Sequence, residues 1–71
     1  MTADGWVREV PCKGAGDRDR VIQLLINTAN EIVLIAPPGE AGRLTLSNLV
    51  MLKNVLVEAQ HELVARGVEL Q

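Results

Sequence analysis

The chain has 71 residues, seven basic and nine acidic side chains for a formal charge of −2, 48% apolar residues, one aromatic (Trp6) and one cysteine (Cys12). This length makes a single domain, residues 1–71, that buries only roughly 60% of its unfolded surface, so its margin is small and a second copy would help it. The charge balance argues against an electrostatic grip on nucleic acid, and the lone cysteine excludes an internal disulfide. With no signal peptide and no apolar run near the roughly 18 residues of a membrane span, the cytoplasm is the expected location.

Residues 1–5 are polar and are expected to be flexible. From Trp6 to Pro11 the chain alternates, with Trp6, Arg8 and Val10 on one side and Val7 and Glu9 on the other, which predicts a short edge strand ending at Pro11. Trp6 is expected to anchor it over an aliphatic core, because an indole buries more area than any other side chain here. Its functional alternative is a stacking platform for a ring ligand.

Cys12 to Gly16 is predicted to turn, and Asp17 to cap a helix whose inward stripe is Val21, Ile22, Leu25, Ile26 and Ala29. Glu31 to Ala36 is β-prone and bounded by Pro37-Pro38, so it is predicted to be a buried strand. A turn at Pro38-Gly39 then leads to a short strand over Arg43 to Thr45.

The strongest periodicity lies from Thr45 to Arg66. Leu49, Leu52, Val55, Leu56, Ala59 and Leu63 fall on one arc about 120° wide at the helical repeat. A second ridge, Val50, Val57 and Val64, is separated from it by Lys53 and Gln60. Thr45 is the predicted N-cap, Gly67 the left-handed stop, and Glu62 and Arg66 an i,i+4 pair. The second ridge either lies on a sheet in the same chain or meets a second helix in a dimer. The expected fold is α+β, strand-helix-strand-strand-helix with two helices on a short sheet. Its alternative is an all-α hairpin from Asp17 onward, dimerising as a four-helix bundle.

Few residues carry a chemical signature. Lys13-Gly14-Ala15-Gly16 before a predicted helix suggests an anion cradle, but it lacks the Walker ending, and Asp17 and Asp19 put negative charge where an anion would sit. Cys12 and His61 are the only thiol and imidazole, too few for a zinc site within one chain and without a third group to orient a nucleophile. Glu58 and Glu62 share a helix face, where a hydrated surface pair is the usual outcome.

No catalytic, cofactor or metal residue is therefore expected. The favoured reading is a non-enzymatic interaction or regulatory module that works as a homodimer, with Val50, Met51, Val57 and Val64 at its interface. The second reading is a nucleic-acid-associated regulator in which dimerisation gathers Arg8, Lys13, Arg18, Arg20 and Arg43. The third is small-molecule or metal binding at an intersubunit site around Cys12 and His61.

Overall fold

The computed structural model describes residues 5–70 and shows a three-stranded antiparallel sheet with one long helix across it. Strands β1 (Val7–Lys13), β2 (Asp19–Ile26) and β3 (Ile32–Ile35) lie in the order β1-β2-β3, followed by helix α1 (Leu46–Ala65). The α+β class is as expected. The order is not: it runs strand-strand-strand-helix, and the all-α hairpin is overturned with it.

The predicted helix from Asp17 is strand β2. Its side chains alternate, with Ile22, Leu24 and Ile26 buried on the inner face and Val21, Gln23 and Leu25 on the outer one. A helical stripe of Val21, Ile22, Leu25, Ile26 and Ala29 mixes residues from both of these faces and the following turn. Apolar residues on both sides of a central strand imitate helical spacing, because Val-Ile and Leu-Leu-Ile runs satisfy either period. The pairing decides between them, since β2 finds a ladder partner on each side: Val10 opposite Ile22 in β1, and Leu24 opposite Leu34 in β3.

Both hairpins are closed by residues suited to it. Between β1 and β2, Gly14 N–H donates to the Arg18 carbonyl at 2.8 Å, and Gly16 and Asp17 both take positive φ, 67° and 58°. Asp17 is thus a turn residue held by Arg43, not a helix cap. Between β2 and β3, the Asn27 side-chain oxygen accepts from the N–H groups of Ala29 and Glu31, and Asn30 adopts φ 60°. This is the Asx-type closure that Asn offers a tight hairpin.

Trp6 is buried, as expected, and joins Val10, Cys12, Ile22, Leu24, Ile26 and Ala59 in the core. Strand β1 runs two residues beyond Pro11, which is accommodated because β1 is an edge strand. Glu31 to Ala36 contains β3, as predicted, but not as the buried strand expected: it is an edge strand with Leu34 and Ile35 exposed, because among the described residues no further strand covers its outer side and α1 lies toward β1. The short strand at Arg43 to Thr45 is reduced to a single bridge between Lys13 and Arg43, because Thr45 is already occupied as a helix cap.

Helix α1 has the limits its sequence predicts. Asn48 N–H donates to Thr45 Oγ1 at 3.1 Å, and Thr45 N–H donates back to Asn48 Oδ1 at 3.3 Å. At the other end Gly67 has φ 83°, its N–H reaches the Val64 carbonyl, and Val68 N–H reaches that of Leu63. Both carbonyls, which the Arg66 N–H reaches only as one shared donor, gain a partner of their own there. Arg66 pairs with Glu62 at 2.9 Å. Of residues 1–5, expected to be flexible, 1–4 lie outside the described residues. Thr45→Ala removes the cap acceptor and should lower unfolding free energy by about 1 kcal/mol with an unchanged denaturant slope, as read by urea titration.

Candidate functional site

A helix that closes a core normally buries a stripe, yet α1 contributes only Ala59, at 2% exposure, as a fully buried residue. Leu52, Val55 and Leu63 are partly buried against the core, so part of the predicted inward arc does face the sheet. Leu49 and Leu56, from the same arc, remain exposed, at 50% and 45%. The second ridge is open as well: Val50 and Val57 are exposed and Val64 reaches 65%, and Met51, next to Val50 in sequence, is also exposed. The sheet in its own chain therefore does not cover the valines.

The reason is geometric. The helix starts beside the end of β1, where Arg43 bridges Lys13, and its last turn lies over the β2–β3 hairpin, where Arg66 reaches the Asn30 side chain. Arg8 on the inner face of β1 pairs with Glu58 at the helix side nearest that strand. On the other side, toward β3, the helix and sheet part to form an open apolar groove of about 450 Å³. Ile32, Leu56, Gln60 and Val64 line it, with Val68 and Leu70 from the tail. Leu34, next along β3 on the inner face, is 52% exposed.

The outer face of the sheet is also partly apolar, since Val7, Val21 and Ile35 are all exposed. Exposed large apolar side chains are unremarkable singly; here they gather on the helix, in the groove and on the edge strand.

The residues with chemical signatures are dispersed. Cys12 is a free, buried thiol beneath the 37–42 loop, where its Sγ would stand 3.3 Å from a Cβ added at Gly42. His61 is exposed near the far end of α1, roughly 20 Å of helix from the end beside Cys12. The structure does not bring them together within one chain. Trp6 is held in the core, its ring covered by the Arg8 guanidinium at 4.7 Å, so it is not an open stacking platform. Among the described residues, no three acidic, His or Cys side chains cluster as a metal site.

The glycine turn does hold an anion, but an internal one. Glu40 accepts from Ala15 N–H at 2.7 Å and pairs with Arg20 at 3.6 Å. A Cβ on Gly14 would fall 1.8 Å from the same Glu40 oxygen, so glycine there is what lets the carboxylate approach. The sequence favours a plain connecting turn here over an anion cradle, and it gives no sign of Glu40, which lies 25 residues on and is brought back only by the fold.

The basic residues are similarly engaged. Arg8, Lys13, Arg20 and Arg43 pair with Glu58, Asp19, Glu40 and Asp17. The hydrogen bond from Arg43 holds the Asp17 carboxyl below its ordinary range, Lys13 does the same for Asp19, and Asp19 raises Lys13 in return. A scan against protein-family models gives no match for this chain, nor does a search of curated proteins or of solved structures.

Two outcomes are expected of this turn. Gly14→Ala and Glu40→Ala should each cost roughly 1–2 kcal/mol in urea unfolding, and the double variant little more than either, because both break the same contact. Asp17 and Asp19 have depressed folded pKa values, so their stabilisation is present above the ordinary carboxylate range and is lost as pH falls through the depressed values. Thermal midpoints should therefore drop in that acid window, and drop less in Asp17→Asn.

Proposed function

We propose that the protein is a small, non-enzymatic interaction module that works as a homodimer and offers the exposed side of α1 to its partners. The observation that carries this reading is the helix itself: 20 residues with only Ala59 fully buried, an open row of Val50, Val57 and Val64, and Met51 exposed beside it. An aliphatic chain of this length gains stability by mass action when a second copy covers such a row. The buried free thiol of Cys12 suits a reducing compartment, which supports the cytoplasm as the site of action. No helix among the described residues is long and apolar enough to cross a membrane.

A nucleic-acid role has less support, because four of the five basic residues it would gather already face carboxylates. No catalytic, cofactor or metal role is assigned to any side chain.

Sedimentation equilibrium across a hundredfold concentration range is the test, with a two-chain mass expected. Val57→Asp should weaken association at least about tenfold, the equivalent of about 1.4 kcal/mol, while the helical circular dichroism is retained. An unchanged mass in Val57→Asp with unchanged folding removes α1 from the interface. Salt-sensitive retention on heparin would favour the nucleic-acid reading instead.

A further inference from the structure

The two edges of the sheet are not alike. Along β1, ladder contacts alternate sides. Ile26 N–H donates to the Trp6 carbonyl on the β2 side, whereas Lys13 exchanges both of its backbone bonds with Arg43 on the other. By that alternation the backbone groups of Val7, Glu9, Pro11 and Lys13 face outward. Pro11 has no N–H to offer, and Lys13 is already bridged. The β1 edge is blunted.

The β3 edge is open. Asn27 N–H donates to the Glu31 carbonyl, and these two residues continue the β2–β3 register, so Glu31, Val33 and Ile35 turn their backbone groups toward β2. Ile32, Leu34 and Ala36 must then present theirs outward. Among the described residues no backbone hydrogen bond reaches these groups. The segment carries no charge from Ile32 to Ala36, and Pro37 after it keeps Ala36 extended. An uncharged, unbulged edge of this kind is a template for another strand.

We infer that β3 pairs antiparallel with β3 of a second copy about a two-fold axis at Leu34, forming one continuous sheet. This rests on the homodimer reading and supplies its geometry. Self-pairing must match outward groups with outward groups and keep both inner faces on one side; of the registers that do so, the one with Leu34 opposite Leu34 and Ile32 opposite Ala36 pairs all three outward residues with one another. The register centred on Val33 would instead pair Ala36 with Asn30, whose φ of 60° takes it out of the strand.

A second copy is the fitting occupant because each chain has one open and one blunted edge. Pairing the open edges leaves only blunted ones, so the assembly closes at two chains instead of growing. The helices agree with it. Leu56, Gln60 and Val64 line the groove that borders Ile32, so this side of the helix turns toward β3, while Val50 and Val57, on the side opposite the buried Ala59, point away from the sheet. In the paired sheet the groove side of each helix faces its counterpart over Leu34.

Residue-resolved amide exchange of the full chain, measured by NMR at concentrations above and below the dimer midpoint, tests this. Ile32, Leu34 and Ala36 amides should be at least about tenfold more protected in the concentrated sample, and the protection should fade on dilution. In a mixed sample of labelled and unlabelled chains, the α-protons of Val33 and Ile35 should show an interchain contact, because this register makes them a close, non-hydrogen-bonded pair. A dimer whose three amides exchange freely overturns edge pairing and leaves the homodimer standing on α1 alone. A monomer at every concentration, with the same amides exchanging freely, overturns both. Protection gained only when an unrelated alternating Val-Thr peptide is added makes a foreign strand the occupant and overturns the second copy.

Discussion

Strand β2 has a hydrogen-bonded partner on each side, and that double pairing is the constraint on which everything else rests. It gives Ile22, Leu24 and Ile26 a common inward direction, and they meet Val10 and Cys12 of β1 beneath α1. Because the paired strands fix which side chains point inward, the helix needs to deliver little: Ala59 touches the centre, and the larger Leu52, Val55 and Leu63 pack around it. A small residue at the crossing point lets the helix backbone come close to the sheet. The same closeness keeps the helix from wrapping further, so its flanks stay open.

What could be read from the residues depended on whether the signal was local. The long helix was legible down to its caps, because Thr45, Asn48 and Gly67 act within one turn of the ends they close. β3 was legible because Pro37 bounds it, and Trp6 because an indole has few alternatives to the core. β2 was not. Its apolar residues occupy both faces of the sheet, so the alternation that marks a half-buried strand is blurred, and only the long-range ladder distinguishes it from a helix.

The candidate surface divides in the same way. The valine ridge could be drawn from spacing alone, but whether the chain covers it depends on where the sheet ends, which spacing does not encode. Glu40 shows the general difficulty. The glycine turn leaves room for a carboxylate, and the residue that fills it comes from the loop that leads into the helix start at Thr45. The outward order of backbone groups along β1 and β3 is likewise a property of the pairing and not of any side chain.

The division of labour between the sheet and the 37–44 connection also bears on how the chain folds. Both hairpins join strands adjacent in sequence, so the sheet is built from short-range contacts that form quickly. The helix is joined to that sheet through Arg43 on Lys13 and Glu40 on the glycine turn, contacts that span 25 residues or more. Docking of α1 is then the entropically slow event, and the loop that carries Glu40 and Arg43 acts as its latch. Until that latch closes, the inner face holding Val10, Leu24 and Ile26 lacks its cover, so the long-range step that docks the helix is also the one that hides this apolar face from water and from other chains.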